Sequence, residues 1–170
     1  MTAPTLRPWQ LGLIAATPLA VWLLAVTNLL VALPVVAAAL VAPAFLAYVG
    51  AERHGAAWSA AMAWAALFSA AVITLVQVSP ELLPRIFYAE PYRREMFGWI
   101  ATGIGKENEP LRWLPEHALH LAGFLVLARF TAGLGGLVLG AGLVAYMSAF
   151  VGAFAAAAGE PVLGAVVAWV

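Results

Sequence analysis

Cysteine and aspartate are both absent from this chain of 170 residues, and charged residues of every kind are scarce. The lack of cysteine excludes disulfides and thiolate chemistry. The eight acidic residues, all glutamate, balance eight basic residues, and charged residues make up 9% of the chain. Because the basic residues are not in excess, nothing in the composition indicates a nucleic acid as partner.

Apolar residues, in contrast, make up 65% of the chain. A soluble domain has about 45–50% apolar and about 25% charged residues. A core of this size cannot bury so much apolar surface, so lipid must replace water around much of the chain. The composition therefore predicts an all-α fold, a polytopic bundle of transmembrane helices that forms a single integral membrane domain over residues 1–170.

The uncharged run from residue 8 to residue 51 is too long for one crossing, because a bilayer core is about 30 Å thick and a helix rises about 1.5 Å per residue. Its length also disfavours a signal peptide, whose apolar region has about 7–15 residues. The apolar tail, residues 161–170, is either a re-entrant or interfacial segment or the beginning of a sixth span. About five spans are predicted, near residues 11–31, 34–50, 56–78, 115–132 and 134–158.

The segment 79–114 is predicted to lie outside the membrane, because ten of the sixteen charged residues of the chain fall within it. Residues 91–103 show helical periodicity, with apolar side chains on one face and Arg93, Arg94 and Glu95 elsewhere. An amphipathic helix on the membrane surface fits this pattern, and so does a helix packed over the ends of the bundle. The predicted interfacial residues are Tyr92, Met96, Trp99 and Trp113.

The basic residues are divided unequally between the two sides of the predicted bundle. The side of segment 79–114 carries Arg85, Arg93, Arg94, Lys106 and Arg112, and the other side carries Arg7, Arg53 and Arg129. The positive-inside rule then predicts a cytoplasmic segment 79–114 in a plasma or inner membrane. The first helix alone favours the opposite orientation, because its only flanking positive charge precedes it.

Glu116, His117 and His120 form the densest group of chemically versatile side chains. At about 100° per residue they share one arc of a helix, which permits a metal or proton site with open positions. The favoured interpretation is a polar helix start, with Pro115 as first helical residue and Glu116 in the first turn. A haem held with His54 is disfavoured, since His54 falls on the opposite side of the membrane. No cofactor is therefore predicted.

Three other polar side chains lie in or near the apolar runs. Arg129, Asn28 and Gln77 are candidates for a substrate or ion pathway, because polar groups are costly in lipid. Arg129 is close to the end of its predicted helix and can instead extend its charge to the surface. Asn28 and Gln77 can instead form hydrogen bonds between helices.

Small residues recur every four positions in the last predicted span, with a break at Val144, and they are Gly136, Gly140, Ser148, Gly152 and Ala156. Such a stripe allows two helix backbones to approach closely. Packing within the chain is favoured over a contact between copies of the chain.

Three classes of function remain open. One is a small permease or transport-associated subunit, and another is a non-catalytic assembly or scaffold subunit of a membrane complex. The third is a membrane metal or redox enzyme that uses Glu116, His117 and His120, although the sparse polar side chains favour a protein without catalysis. The expected partners are the lipid bilayer and either further copies of the chain or other membrane subunits.

Overall fold

The computed structural model describes residues 6–105 and 108–159, with only the backbone of Arg112. These residues form helices and no strands, which confirms the all-α class. Two short 3-10 helices cover Leu30–Ala32 and Pro80–Arg85. The α-helices are α1 (Pro8–Ala15), α2 (Thr17–Val26), α3 (Leu33–Gly50), α4 (His54–Val78), α5 (Ala89–Thr102), α6 (Pro110–Phe130) and α7 (Leu134–Ala158). The predicted tail segment, 161–170, lies outside the described residues.

Three segments in the described part of the chain are long and apolar enough to cross a membrane, and they are Leu30–Gly50, α4 and α7. The bent pair of α1 and α2 makes a fourth if it is one span. The predicted count of about five is therefore not reached. Helix α6 is not among these segments, because Glu116, two histidines and Arg129 lower the mean hydropathy of its 21 residues.

The first predicted span is broken into α1 and α2, whose axes differ by 45°. Pro18 lies at the start of α2. It has no N–H to bond to the carbonyl of Ile14, and its ring crowds that carbonyl, so the helix bends there. The side-chain amide of Gln10 in α1 donates to the carbonyl oxygen of Pro43 in α3, at 2.9 Å. This hydrogen bond links α1 to α3.

Alanine fills much of the core between α3, α4 and α7. Nine described alanines of these helices are at most 6% exposed, and they are Ala37, Ala38, Ala44, Ala57, Ala71, Ala141, Ala145, Ala149 and Ala155. Phe68 and Leu75 are also buried in this core, but many other large apolar side chains lie on the outside, with Val26 83% and Trp58 68% exposed. Small residues inside let helices pack closely, and large apolar residues outside are stable where the solvent is lipid.

Helices α4 and α7 approach each other closely at Gly152. A Cβ added to Gly152 would lie 2.9 Å from the carbonyl oxygen of Ile73 and 3.1 Å from Cβ of Val76. One turn earlier, Ser148 Oγ donates a hydrogen bond of 3.0 Å to Ser69 Oγ. Only glycine fits at position 152 without a shift of the α4 backbone.

The predicted stripe of small residues does not form a single packed face. A Cβ on Gly136 would lie 3.1 Å from Ala128 in α6, whereas Gly152 contacts α4. Gly140 has no described atom within 4 Å of such a Cβ, so the described helices do not pack against it there, and its packing role stays a prediction. At about 100° per residue, a spacing of four drifts about 40° per step, so Gly136 and Gly152 lie about 160° apart.

The start of α6 differs from the prediction. The helix begins at Pro110, with Glu109 as its N-cap, and Pro115 lies inside it. Pro110 meets the requirements of a first helical residue as well as Pro115 does, because its missing N–H would be unbonded there in any case. Glu116 is therefore in the second turn, where the helix dipole has little effect, and the predicted helix-start role does not explain it.

The amphipathic helix α5 packs along α7. The ring of Tyr92 lies 4.8 Å from that of Tyr146, and the ring of Phe97 lies 5.9 Å from that of Phe150. Of the two arrangements left open by the sequence, packing on the bundle describes α5 better. Its aromatic face is directed at α7, so α5 forms one wall of a cleft between α5, α6 and α7.

Candidate functional site

A cleft with a volume of about 510 Å³ opens between α5, α6 and α7. Its lining combines aromatic rings, carboxylates, imidazoles and thioethers in an otherwise apolar bundle. The lining residues are Tyr88, Tyr92, Glu95, Met96, Trp113, Glu116, His117, His120, Leu143, Tyr146 and Met147. Three of the four tyrosines of the chain are among them.

Each of the three helices contributes residues that are three and four positions apart, which is the spacing of one helix face. The sets are Tyr92, Glu95 and Met96 in α5; Trp113, Glu116, His117 and His120 in α6; and Leu143, Tyr146 and Met147 in α7. The cleft is thus formed mainly by one face of each of three helices.

The charged side chains of α5 are divided between the cleft and the outer side of the helix. Glu90 accepts two hydrogen bonds of 2.9 Å from the Arg93 guanidinium, and its carboxylate also lies 3.0 Å from Nε of Arg94. The hydrogen bond from Arg93 lowers the pKa of Glu90, and the same bond raises the pKa of Arg93. Both arginines are engaged outside the cleft. Glu95, which the sequence placed away from the face of Tyr92, lies in the lining.

Tyrosine rings cover the junction of α5 and α7. Tyr146 lies edge-on to Tyr88 at 5.5 Å and contacts Tyr92 at 4.8 Å. Tyr88 precedes α5 in the left-handed conformation, with φ of 58°. That conformation costs a residue with a side chain about 1–3 kcal/mol. The ring of Tyr88 is therefore held in this position by its surroundings.

The α6 wall contains the group that the sequence singled out. Nδ1 of His117 lies 2.8 Å from the carbonyl oxygen of Trp113, and the two rings are edge-on at 5.1 Å. When Nδ1 carries the proton and donates it to this carbonyl, Nε2 is left as an acceptor. His120 follows one turn later and is exposed. This face can hydrogen-bond to a ligand through imidazole and carboxylate groups.

Within residues 6–105 and 108–159, no three His, Asp or Glu side chains are grouped to hold a metal ion. Glu116, His117 and His120 therefore share a cleft but do not form a ligand set in this arrangement. The metal interpretation has no geometric support beyond their common helix face.

Asn28, one of the predicted pathway residues, ends α2. Its φ is 60°, its N–H bonds to the carbonyl of Ala25, and the next N–H, that of Leu29, bonds to the carbonyl of Leu24. These two bonds define a Schellman motif, in which asparagine tolerates the left-handed position. Asn28 Oδ1 also accepts a bond of 2.7 Å from Arg85. Asn28 thus has a local structural role at a helix end.

The other two predicted pathway residues are not among the residues that line the cleft. Gln77 is half-buried next to the last residue of α4, and Arg129 is exposed in the last turn of α6, where its charge faces the negative end of the helix dipole. The turn after Arg129 lies against Phe45, near the far end of α3 from Asn28. The three residues are not brought together in the described structure.

Of the four predicted interfacial residues, Tyr92, Met96 and Trp113 line the cleft. Trp99 instead donates its indole N–H to Oδ1 of Asn108, at 3.2 Å, in the connection that follows α5. The sequence interpretation missed five lining residues, Tyr88, Glu95, Leu143, Tyr146 and Met147. The concentration of tyrosine near α5, together with one tyrosine in α7, was the available signal.

Comparison of the chain with protein-family models, with curated proteins and with solved structures finds no match.

Proposed function

We propose that this chain is an integral membrane protein of the plasma or inner membrane. Three apolar segments long enough to cross support this proposal, and so does the bent pair of α1 and α2. An alanine core with large apolar residues outside is the packing expected where lipid is the solvent. Retention of the protein in membranes after alkaline carbonate extraction tests it. Release into the soluble fraction would contradict it.

In this proposal α6 is also a span, antiparallel to α7. Near the turn between them, Gly136 faces Phe124 and Ala128. The residues that lower the mean hydropathy of α6 include Glu116, His117 and His120, and all three line the cleft. Polar side chains that face a cleft between helices avoid the cost of contact with lipid.

The proposed orientation has segment 79–114 in the cytoplasm, because of its five basic residues. The chain has no cysteine, so single cysteines at Gly105 and Ala51 can be labelled without background. An impermeant thiol reagent on intact cells is expected to label the variant at position 51 and to spare the variant at position 105. The reverse pattern would invert the topology.

The proposed activity is the binding of a small organic molecule, in a permease or transport-associated subunit. The observation that carries it is the convergence of polar and aromatic side chains from three helices on one cleft. A volume of about 510 Å³ lies within the range of small-molecule sites, about 300–1,000 Å³. A purely structural subunit would not require this convergence.

A panel of small amphiphiles, cationic, anionic and neutral, tests the activity on protein in lipid nanodiscs. A ligand at about 100 times its Kd stabilises the folded state by about 2.7 kcal/mol. We expect a panel member to raise the melting temperature of the wild type. Leu143→Trp, which fills the cleft, should abolish that rise.

Leu125→Trp is the matched control for this experiment. Leu125 is exposed and lies about 180° around α6 from Glu116 at about 100° per residue. It should respond to ligand as the wild type does. If no panel member stabilises the wild type, or if Leu143→Trp and Leu125→Trp respond alike, the proposed activity is wrong.

The exposed apolar side chains of α6 support a second candidate function, that of an assembly subunit. This helix packs mainly on α7, and its outer apolar residues include Leu119 at 73% and Phe130 at 83% exposure. The mass of the protein in mild detergent, by light scattering, distinguishes the candidates. A stable complex that loses a subunit in Leu119→Gln would favour assembly, whereas a single chain would not.

A further inference from the structure

We infer that the cleft between α5, α6 and α7 binds an aromatic hydroxyl compound, a phenol-type ring attached to an apolar body, whose hydroxyl group donates a hydrogen bond to Nε2 of His117. This inference rests on the proposed small-molecule binding and names the class of its ligand.

The hydrogen bond of His117 to its own helix determines which imidazole atom is left for a ligand. Nδ1 of His117 lies 2.8 Å from the carbonyl oxygen of Trp113. A carbonyl oxygen has no proton to donate, so the proton of this bond belongs to Nδ1. In the neutral ring Nε2 then carries a lone pair and no proton, so it accepts hydrogen bonds and does not donate them. Because His117 lines the cleft, a ligand beside it needs a donor group.

A phenolic hydroxyl group meets this requirement without a charge. Its pKa is about 10, so it keeps its proton at neutral pH and donates it in a hydrogen bond. It is attached directly to its ring, so one compact group bonds to the imidazole while the ring contacts the side chains beside it. Glu95 and Glu116 also line the cleft, but both have interactions of their own, and we assign neither of them a contact with the ligand.

Aromatic side chains on all sides of the cleft favour an aromatic ring in the ligand. The ring of Trp113 is edge-on to that of His117 at 5.1 Å. Tyr146 contacts Tyr92 at 4.8 Å and Tyr88 at 5.5 Å. Aromatic rings attract one another in edge-on and offset arrangements of this kind, beyond the effect of the apolar area that they bury. A further ring, supplied by the ligand, can therefore extend either group.

The other lining residues and the volume define the rest of the ligand. Met96 and Met147 bring sulfur atoms, which make favourable contacts with aromatic rings, and Leu143 adds apolar surface. Leu143 is also 50% exposed, so the cleft opens beside an apolar part of α7. The volume of about 510 Å³ exceeds that of a phenol ring, so an apolar body fits beside it.

Three probes of similar length separate the contribution of the hydroxyl group from that of the ring. Para-hexylphenol carries both, its methyl ether keeps the ring but cannot donate a hydrogen bond, and para-hexylcyclohexanol keeps the hydroxyl group on a saturated ring. Each is titrated calorimetrically into the full chain in nanodiscs, in mildly alkaline buffer that keeps histidine neutral and phenol protonated. Empty nanodiscs are the blank and correct for partitioning of each probe into lipid.

One hydrogen bond changes an affinity by about three- to tenfold, so we expect the phenol to bind about three- to tenfold more tightly than its methyl ether. The cyclohexanol should also bind more weakly than the phenol, because it cannot make the contacts between aromatic rings. Leu143→Trp should abolish binding of all three probes, whereas Leu125→Trp should not.

Variants of His117 test which atom accepts the hydrogen bond. His117→Leu removes the acceptor and should bring the phenol and its methyl ether to the same affinity. His117→Gln restores an acceptor oxygen, so part of the preference for the phenol should return. His54→Gln is the matched control, since His54 is exposed at the start of α4 and does not line the cleft. The melting temperature of each variant reports whether it has folded.

The outcomes separate this inference from the proposed function. If the methyl ether or the cyclohexanol binds as tightly as the phenol, the ligand is not an aromatic hydroxyl compound, although the cleft still binds small molecules. An unchanged preference for the phenol in His117→Leu would also overturn the inference, and so would phenol binding that survives in Leu143→Trp. If none of the three probes binds the wild type, the inference is wrong, and the broader amphiphile panel then decides whether small-molecule binding fails with it.

Discussion

Gly152 and Gly140 offer a paired test of the packing between α4 and α7. Both are glycines inside the same helix, so replacement by alanine improves the helix propensity of each by about 1 kcal/mol. They differ in their surroundings. A Cβ at position 152 would meet the Ile73 carbonyl oxygen at 2.9 Å and Cα of Ile73 at 3.2 Å, whereas a Cβ at position 140 would meet no atom of the described residues within 4 Å.

The difference between the two variants isolates the cost of the contact, because the gain in propensity cancels. The atoms that face Gly152 belong largely to the α4 backbone, which cannot rotate away as a side chain can. Overpacking of this kind typically costs about 1–3 kcal/mol. We therefore expect Gly152→Ala to be about 1–3 kcal/mol less stable than Gly140→Ala, with Gly140→Ala at or above the wild-type stability.

The assay is equilibrium unfolding in mixed micelles, with the helical signal followed by circular dichroism. The comparison is made at one lipid and detergent ratio, so that both variants share the same unfolded state. Equal stability of Gly152→Ala and Gly140→Ala, within about 0.5 kcal/mol, would refute the close approach of α4 and α7. A destabilised Gly140→Ala would show instead that a partner outside the described chain covers that position.

Two further predictions concern single polar contacts. A double-mutant cycle of Ser69→Ala and Ser148→Ala should give a coupling energy of about 0.6 kcal/mol, the average for hydrogen bonds between membrane helices, and a coupling of zero would contradict the bond between α4 and α7. The hydrogen bond from Arg93 lowers the pKa of Glu90 below its ordinary 4.5. The stabilisation that this bond gives the folded state is therefore present above pH 4.5 and is lost as the pH falls through the lower pKa of Glu90 in the folded state. The free energy of unfolding of the wild type should therefore exceed that of Glu90→Gln by at most about 1 kcal/mol at neutral pH, as for partly exposed ion pairs. This difference should vanish in acid. A difference that grows on acidification would contradict the proposed ion pair.

The helices were largely predictable because their signals are local. Apolar runs, helix-breaking turns and prolines specify α3, α4 and α7 within a few residues of the predicted spans. The start of α6 was not predictable in this way. Pro110 and Pro115 both fit a first helical position, and the local sequence does not distinguish them.

The composition and the spacing of apolar residues, by themselves, determined the all-α class, the helix order and the common face of Glu116, His117 and His120. These properties depend on neighbours within one or two helical turns. The cleft depends on which faces of α5, α6 and α7 meet, and those helices are separated along the chain. Periodicity defines a face but not its partner, so Glu95 and Tyr146 acquired a place in the site only through the tertiary structure. The different environments of Gly136 and Gly152 also depend on the tertiary structure. A spacing of four residues drifts around a helix with about 3.6 residues per turn, so the two glycines face different directions. The positions of the neighbouring helices then decide which helix packs against each glycine.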